Sequence, residues 1–249
     1  MTLCVVCVCE NGDIVLGADS QVGSSYFKRN GVAKIIKLNN KTSMAIAGFL
    51  CFTDAIYEQI EELKHHNDIR DDMTASQLKG LIGKIVHSIR VEYIAQFSAL
   101  RKGEPHYPNC ALIIASKGEV FSIDEEGLIT KVHGGYETIG SGGNFVEVKL
   151  RNYYTNKIDI NRAIELIYWV IHCCSEIDPS VNNDITVRLI TDFNHEDLSE
   201  EKLKVLRDQS LERIETYKQL FYQKNLPEII EFLTKKEDSI IEAVLKDHN

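Results

Sequence analysis

The chain has little proline, four residues in 249, and a single tryptophan. No apolar run reaches the ~20 residues of a bilayer-spanning helix. The longest, "AIELIYWVIHCC", carries Glu165 inside it and reads as a buried helix, so no membrane partner is expected. Positive charge is also scarce: 28 Lys and Arg stand against 37 Asp and Glu, a net charge of −9, and the basic residues are scattered. That leaves no electrostatic footprint for nucleic acid. The N-terminus lacks the basic region, hydrophobic segment and cleavage site of a secretory leader. The seven cysteines, an odd number, therefore read as reduced thiols in a cytoplasmic protein. No Walker G-K-[ST] occurs, so energy for unfolding a substrate would have to come from a separate ATP-dependent protein.

What is present is an ordinary globular composition, 44% hydrophobic and 26% charged, long enough for one large domain with an appendage. Residues 3–9 and 14–18 are apolar and flank "ENGD", a strong hairpin signal. "KIIKL" and "SMAIAG" read as two further strands, followed by a helix from about Thr53 to His66. A T-x-x-Q capping box at Thr74 and Gln77 starts a long helix running to about Leu100. "CALIIA", "EVFSI" and "LITKV" form a meander. "YETIGSGGNF" is a strand and a glycine-rich turn into a helix, a second helix runs from about Asn161 to Ile177, and "DITVRLI" is a last strand. This order predicts an α+β fold with a two-sheet core covered by helices. From Asn194 the chain turns into charged helices with narrow apolar stripes, so residues 2–193 are expected as the domain and 194–249 as a helical C-terminal appendage.

The first nine residues hold three cysteines and, at position two, a threonine. With Asn11 and Gly12 as the two loop residues, Cys4 lies opposite Asp19 and Thr2 opposite Gln21. Strand alternation then puts Thr2, Cys4, Asp19 and Gln21 on one face and Leu3, Val5, Cys7 and Cys9 on the other. Thiolates on opposite faces cannot converge on one zinc, and no second Cys/His cluster compensates. The cysteines are expected in the core, with no metal and no cofactor. The same register places Asp19 diagonal to Thr2, about 7–8 Å away between backbones.

Methionine before a small residue is ordinarily removed, which leaves Thr2 with a free α-amine of reference pKa about 7.7–8.0 beside its hydroxyl. Such an amine is a built-in general base for a hydroxyl nucleophile when it is kept largely neutral and charged groups hold the proton positions, for which a nearby lysine and carboxylate are suitable. The series Thr2, "LGADSQ", "VAKIIKL", "AIAGF", "IGSGG" and "DPSVNNDITVRLI" resembles, in order and spacing, the β-type subunits of proteasomes. The bacterial members are nearest in feel: the peptidase ring of the two-component ATP-dependent protease and the ancestral-type homologue. The resemblance covers residues 2–191. It implies the four-layer α-β-β-α sandwich of N-terminal nucleophile hydrolases and the activity of a threonine endopeptidase. By the same resemblance Thr2 is the nucleophile, Asp19 the first-hairpin aspartate, and Lys34 the lysine that lowers the basicity of the site. Ser141 and Asp178 complete the catalytic set, Gly48 gives its amide to the oxyanion and substrate backbone, and Ile46 lines the specificity pocket.

The implied partners are a peptide or unfolded protein substrate, further copies of the chain in a ring or spiral, and a separate ATP-dependent unfoldase. Hydrolysis of a small amide by the same machinery is an alternative, and a catalytically silent scaffold subunit another. Three features depart from the family pattern: the first hairpin is one residue longer, "GFLCFTD" is bulkier than usual, and Val181 stands where many members carry a serine three residues after the later aspartate. "GSGG" is neither a G-x-S-x-G elbow, because residue 139 is Ile139, nor a G-x-G-x-x-G loop, because residue 145 is Phe145.

Overall fold

The computed structural model describes residues 2–24, 27–98, 110–192 and 195–223. Strands β1 (Leu3–Val8) and β2 (Ile14–Asp19) form the expected hairpin, followed by a short pair, β3 (Val22–Ser24) and β4 (Phe27–Arg29). Next come β5 (Ile35–Lys37), β6 (Ser43–Gly48), α1 (Leu50–His65), α2 (Ala75–Ser98), β7 (Cys110–Ser116), β8 (Glu119–Ile123) and β9 (Ile129–Lys131). The chain continues through β10 (Tyr136–Gly140), α3 (Gly143–Tyr153), α4 (Ile160–Ser175), β11 (Ile185–Ile190), β12 (His195–Asp197) and α5 (Glu200–Gln223). One five-stranded sheet has the order β10-β1-β2-β11-β12 and the other β5-β6-β7-β8-β9, and every pairing is antiparallel.

Three apolar clusters define four layers. Cys4, Val6, Ile14, Leu16 and Ala18 of the first sheet pack on Ala45, Ala47, Ile113 and Ala115 of the second, and the many alanines suit close facing of two sheets. Leu3, Val5, Cys7 and Cys9 instead pack among residues of α3 and α4, such as Leu150, Ile167 and Ile171. On the far side Met44, Ile46, Leu112 and Ile114 lie beneath Phe52, Ile56 and Ile60 of α1 and Leu78 and Ile82 of α2. The α-β-β-α sandwich follows directly from strand alternation: each strand gives one row of side chains to the other sheet and one to helices. The pleat separates Cys4 from Cys7 and Cys9, and all seven cysteines are free thiols. Cys173, half-buried, packs against the helix-facing core, and Cys51 is exposed and lies outside it. No helix among the described residues is long and apolar enough to cross a membrane.

The hairpin register differs from the expected one. Cys4 pairs with Ala18 and Val8 with Ile14, which leaves Cys9–Asp13 as the connection. The Gly12 amide donates to the Cys9 carbonyl at 2.9 Å, and the Cys9 amide to the Asp13 carbonyl at 2.8 Å. Gly12 takes φ +82°. Asn11 and Gly12 are thus the later residues of a longer turn that ends on the left-handed Gly12, not the two central residues of a two-residue loop. A slip of one residue exchanges faces. Position 19 falls opposite Leu3 when the observed pairs are continued by one step, so shared parity with Thr2 does not place Asp19.

The helix caps are local. Asp159 accepts from the Asn161 and Arg162 amides at the start of α4. Gln77 reaches back to the Thr74 amide at 2.8 Å, one half of the expected box. Helix α1 begins three residues earlier than periodicity indicates, immediately after the end of β6. Strand β12 extends the first sheet beyond residue 193, and the first compact unit runs to Leu206, with Leu198, Leu203 and Leu206 in or against its core cluster. The second unit begins at Arg207. The part of the expected appendage after residue 223 and the expected end of the second helix near Leu100 lie outside the described residues.

Candidate active site

Thr2 directly precedes β1, Asp19 ends β2, and Lys34 directly precedes β5, so the site gathers at one end of both sheets. All three are buried, with 1%, 1% and 4% of their surface exposed. Asp19 joins them. Its Oδ1 accepts from the Thr2 hydroxyl at 3.4 Å, the Leu3 amide at 2.8 Å and the Lys34 ammonium at 2.5 Å. Its Oδ2 accepts from the Gln21 amide at 3.0 Å and the Asn182 amide at 3.4 Å. The carboxylate thereby ends the first strand, fastens the turn after the second and neutralises a buried ammonium. Burial, the larger effect, holds the Lys34 pKa below that of an ordinary lysine, while the charge of Asp19 and the Cys4 thiol act the other way. The Cys4 thiol itself is pushed up to about 12, chiefly by burial, which makes it inert as a nucleophile.

Lys34 is held by its backbone as well, since its carbonyl accepts from the Ile46 amide at 3.0 Å. The Ile46 side chain is 2% exposed and lies in the core beneath α1 and α2. Its contribution near the site is main-chain: the amide on Lys34, and a carbonyl that accepts from Cys4 Sγ at 3.5 Å. Gly48, half-buried, closes β6 two residues further on, and the exposed Phe49 stands at the start of α1.

Across β1 the site is bounded by Gly140, which pairs with Leu3 and has φ +98°. A Cβ there would lie 2.0 Å from the Thr2 carbonyl oxygen, so only glycine allows β10 to approach this closely. Ser141 follows, exposed at the turn into α3. Its hydroxyl is 3.0 Å from that of Ser180, which in turn donates to Asp178 Oδ1. Sequence reasoning missed Ser180. Val181, at the position where the family serine is expected, is 3% exposed and belongs to the helix-facing core. The hydroxyl that bonds Asp178 comes instead from the residue before it. The signal was visible in "DPSVN", where a Ser two residues after an Asp can bond back to that carboxylate.

The 178–184 loop is stitched to the hairpin end. Ser20 donates its hydroxyl to Asp184 at 2.6 Å and receives Asn182 Nδ2 at 3.0 Å, while Gln21 Nε2 reaches the Pro179 carbonyl at 3.0 Å. Thr2 and Lys34 each contact Asp19; Ser141, Ser180 and Asp178 form a second chain; and the two are joined through Gly140 and through the Asn182 amide on Asp19. Among the described residues no three His, Cys, Asp or Glu side chains converge as a metal ion would require.

A buried lysine and aspartate gathered at a threonine at the end of a four-layer sandwich define the class of N-terminal nucleophile folds. The chain belongs to the proteasome subunit family, whose model matches residues 2–190. Proteasome subunit beta 1 of Saccharolobus islandicus is 24% identical over 193 residues, covering 76% of this chain and 84% of that protein. Proteasome subunit beta 1 of Thermococcus sibiricus is 26% identical over 211 residues, covering 82% and 94%. Among solved structures, Anbu (ancestral beta-subunit) from Yersinia bercovieri superposes with a TM-score of 0.71 at 15% identity, covering 90% of this chain and 98% of that one. The last likeness is one of fold.

Proposed function

We propose that the chain is a threonine-type endopeptidase acting on peptides or unfolded protein, with Thr2 as nucleophile once Met1 is removed. The observation that carries this reading is the buried Asp19–Lys34 pair on the Thr2 hydroxyl. A buried ion pair is weak support for stability, because desolvation offsets most of its attraction, whereas a positive charge beside an N-terminal amine has a chemical use. The same point weighs against a silent scaffold, which has no need of the lysine.

In the proposed reaction the Thr2 hydroxyl attacks the peptide carbonyl and passes its proton to its own α-amine. Lys34 keeps that amine largely neutral beforehand. The oxyanion is stabilised by the Gly48 amide. Collapse breaks the C–N bond, the leaving amine takes the proton from the Thr2 ammonium, and an ester on Thr2 remains. Water, deprotonated by the same amine, attacks the ester and frees Thr2. Ser141, Ser180 and Asp178 form a relay beside Gly140 that keeps the proton positions around the amine. The working form is a ring or spiral of copies in the cytoplasm, and folded substrates are delivered by a separate ATP-dependent unfoldase. The test is a Thr2→Ala variant of the assembled protein, compared with wild type in peptide hydrolysis and in labelling by electrophiles that capture both hydroxyl and amine. Both signals are expected to vanish; labelling that persists refutes the assignment.

A further inference from the structure

Helix α1 touches the site region at two places. It begins two residues after Gly48, and in its second turn the half-buried Tyr57 donates its hydroxyl to the Ala33 carbonyl at 3.1 Å. Ala33 is the residue immediately before Lys34, and the ladder between β5 and β6 is assigned only from Ile35. The carbonyl of Lys34 points to β6, where Ile46 donates to it. Alternation along an extended strand turns the carbonyls of residues 33, 35 and 37 to the opposite, outer edge. Helix α1 covers that edge with two donors: Tyr57 on Ala33, and Lys64 on the Lys37 carbonyl at 2.9 Å. Only the first lies at the lysine. The peptide from which Lys34 departs is therefore clamped on one side by Ile46 and on the other by Tyr57, and the ammonium at its end meets Asp19 at 2.5 Å.

We propose that Tyr57 is a positioning residue: by holding the Ala33 carbonyl, its hydroxyl fixes where Lys34 delivers its charge to Thr2, and so joins α1 to the chemistry. This inference rests on the reading of Thr2 and Lys34 above. A tyrosine that merely filled the edge would do so with its ring, which Phe retains; the hydroxyl is what the geometry assigns. Lys34 is faced by Asp19 from β2 and Cys4 from β1, and Tyr57 by Cys4 and by Asp54 of its own helix. Neither Cys4, whose thiol donates to the Ile46 carbonyl, nor Asp54, on the helix itself, replaces the hydroxyl as a donor to Ala33.

The experiment compares wild type, Tyr57→Phe and Lys64→Met in the rate of Thr2 acylation by a threonine-directed electrophile between pH 5 and 9, with unfolding midpoints measured in parallel. Tyr57→Phe is expected to slow acylation about two- to tenfold near neutrality, the loss of one hydrogen bond. The loss should shrink as pH rises, because a displaced ammonium leaves the Thr2 amine more basic. Lys64→Met, which removes the other α1 bond to the same edge, should leave the pH profile in place. A Tyr57→Phe profile that overlays wild type, or one lowered equally at every pH in step with a lower unfolding midpoint, overturns the inference while leaving the role of Thr2 intact. A wild-type chain that is not labelled overturns the Thr2 reading and the inference with it.

Discussion

Replacing Lys34 with Met keeps most of the side-chain volume and removes the charge. The Lys34 and Thr2 bonds to the shared Asp19 oxygen, 2.5 and 3.4 Å, place the ammonium within about 6 Å of the Thr2 hydroxyl. Two unit charges ~6 Å apart at an effective dielectric of ~20 interact by about 3 kcal/mol. Like-charge repulsion sets the sign: Lys34 lowers the basicity of the Thr2 amine and favours its neutral form, and the Asp19 carboxylate between them offsets part of this. Lys34→Met removes the repulsion and leaves the carboxylate, so acylation is expected to slow roughly tenfold at pH 7. The loss should grow towards pH 6 and largely disappear above pH 9. The assay is single-turnover cleavage of a fluorogenic peptide across that range, normalised to titrated sites. A loss of equal size at all pH values refutes the electrostatic role of Lys34.

Ser180→Ala should lower kcat about tenfold with little change in KM, by severing Ser141 from Asp178 with the loss of two hydrogen bonds; steady-state kinetics on a peptide substrate check this. Gly140→Ala places a Cβ against the Thr2 carbonyl in a backbone conformation of φ +98°, so a destabilisation of about 1–3 kcal/mol and loss of Thr2 labelling are expected, read by urea unfolding and mass spectrometry. His195, in β12, is lowered to about 4, by burial first and then by the charges of Lys37 and Arg188. Its folded pKa lies below the unfolded value, so the unfolded state binds the extra proton and stability should fall as pH drops from about 6.5 towards 4. In His195→Gln that part of the slope in melting temperature against pH should be absent.

The layers were legible because alternation in "LCVVCV" and "SMAIAG" already divides each strand between two cores. The hairpin register was not, since "NG" serves both a two-residue loop and a longer turn ending in a left-handed glycine, and only the hydrogen bonds of Cys9 and Gly12 distinguish them. Asp19 reaches Thr2 for a different reason from the one parity offered: it bonds the Leu3 amide at the end of β1. Strands β3, β4 and β12 went unread because they are short and lack the flanking apolar residues that mark the equally short β5 and β9 in "KIIKL" and "LITKV". Ser180 escaped because the residue expected at 181 is apolar and faces the core, while the useful hydroxyl comes from a turn whose geometry depends on Asp178. The extent of the first unit to Leu206 rests on tertiary contacts of Leu203 and Leu206, which a charged helical sequence does not advertise.

The most direct test of the account is the intact mass of the assembled protein before and after reaction with an electrophile that traps an N-terminal hydroxyl and amine together. The expected result is a chain lacking Met1 that gains one adduct, located on Thr2. A chain that retains Met1, or an adduct that survives in Thr2→Ala, contradicts it.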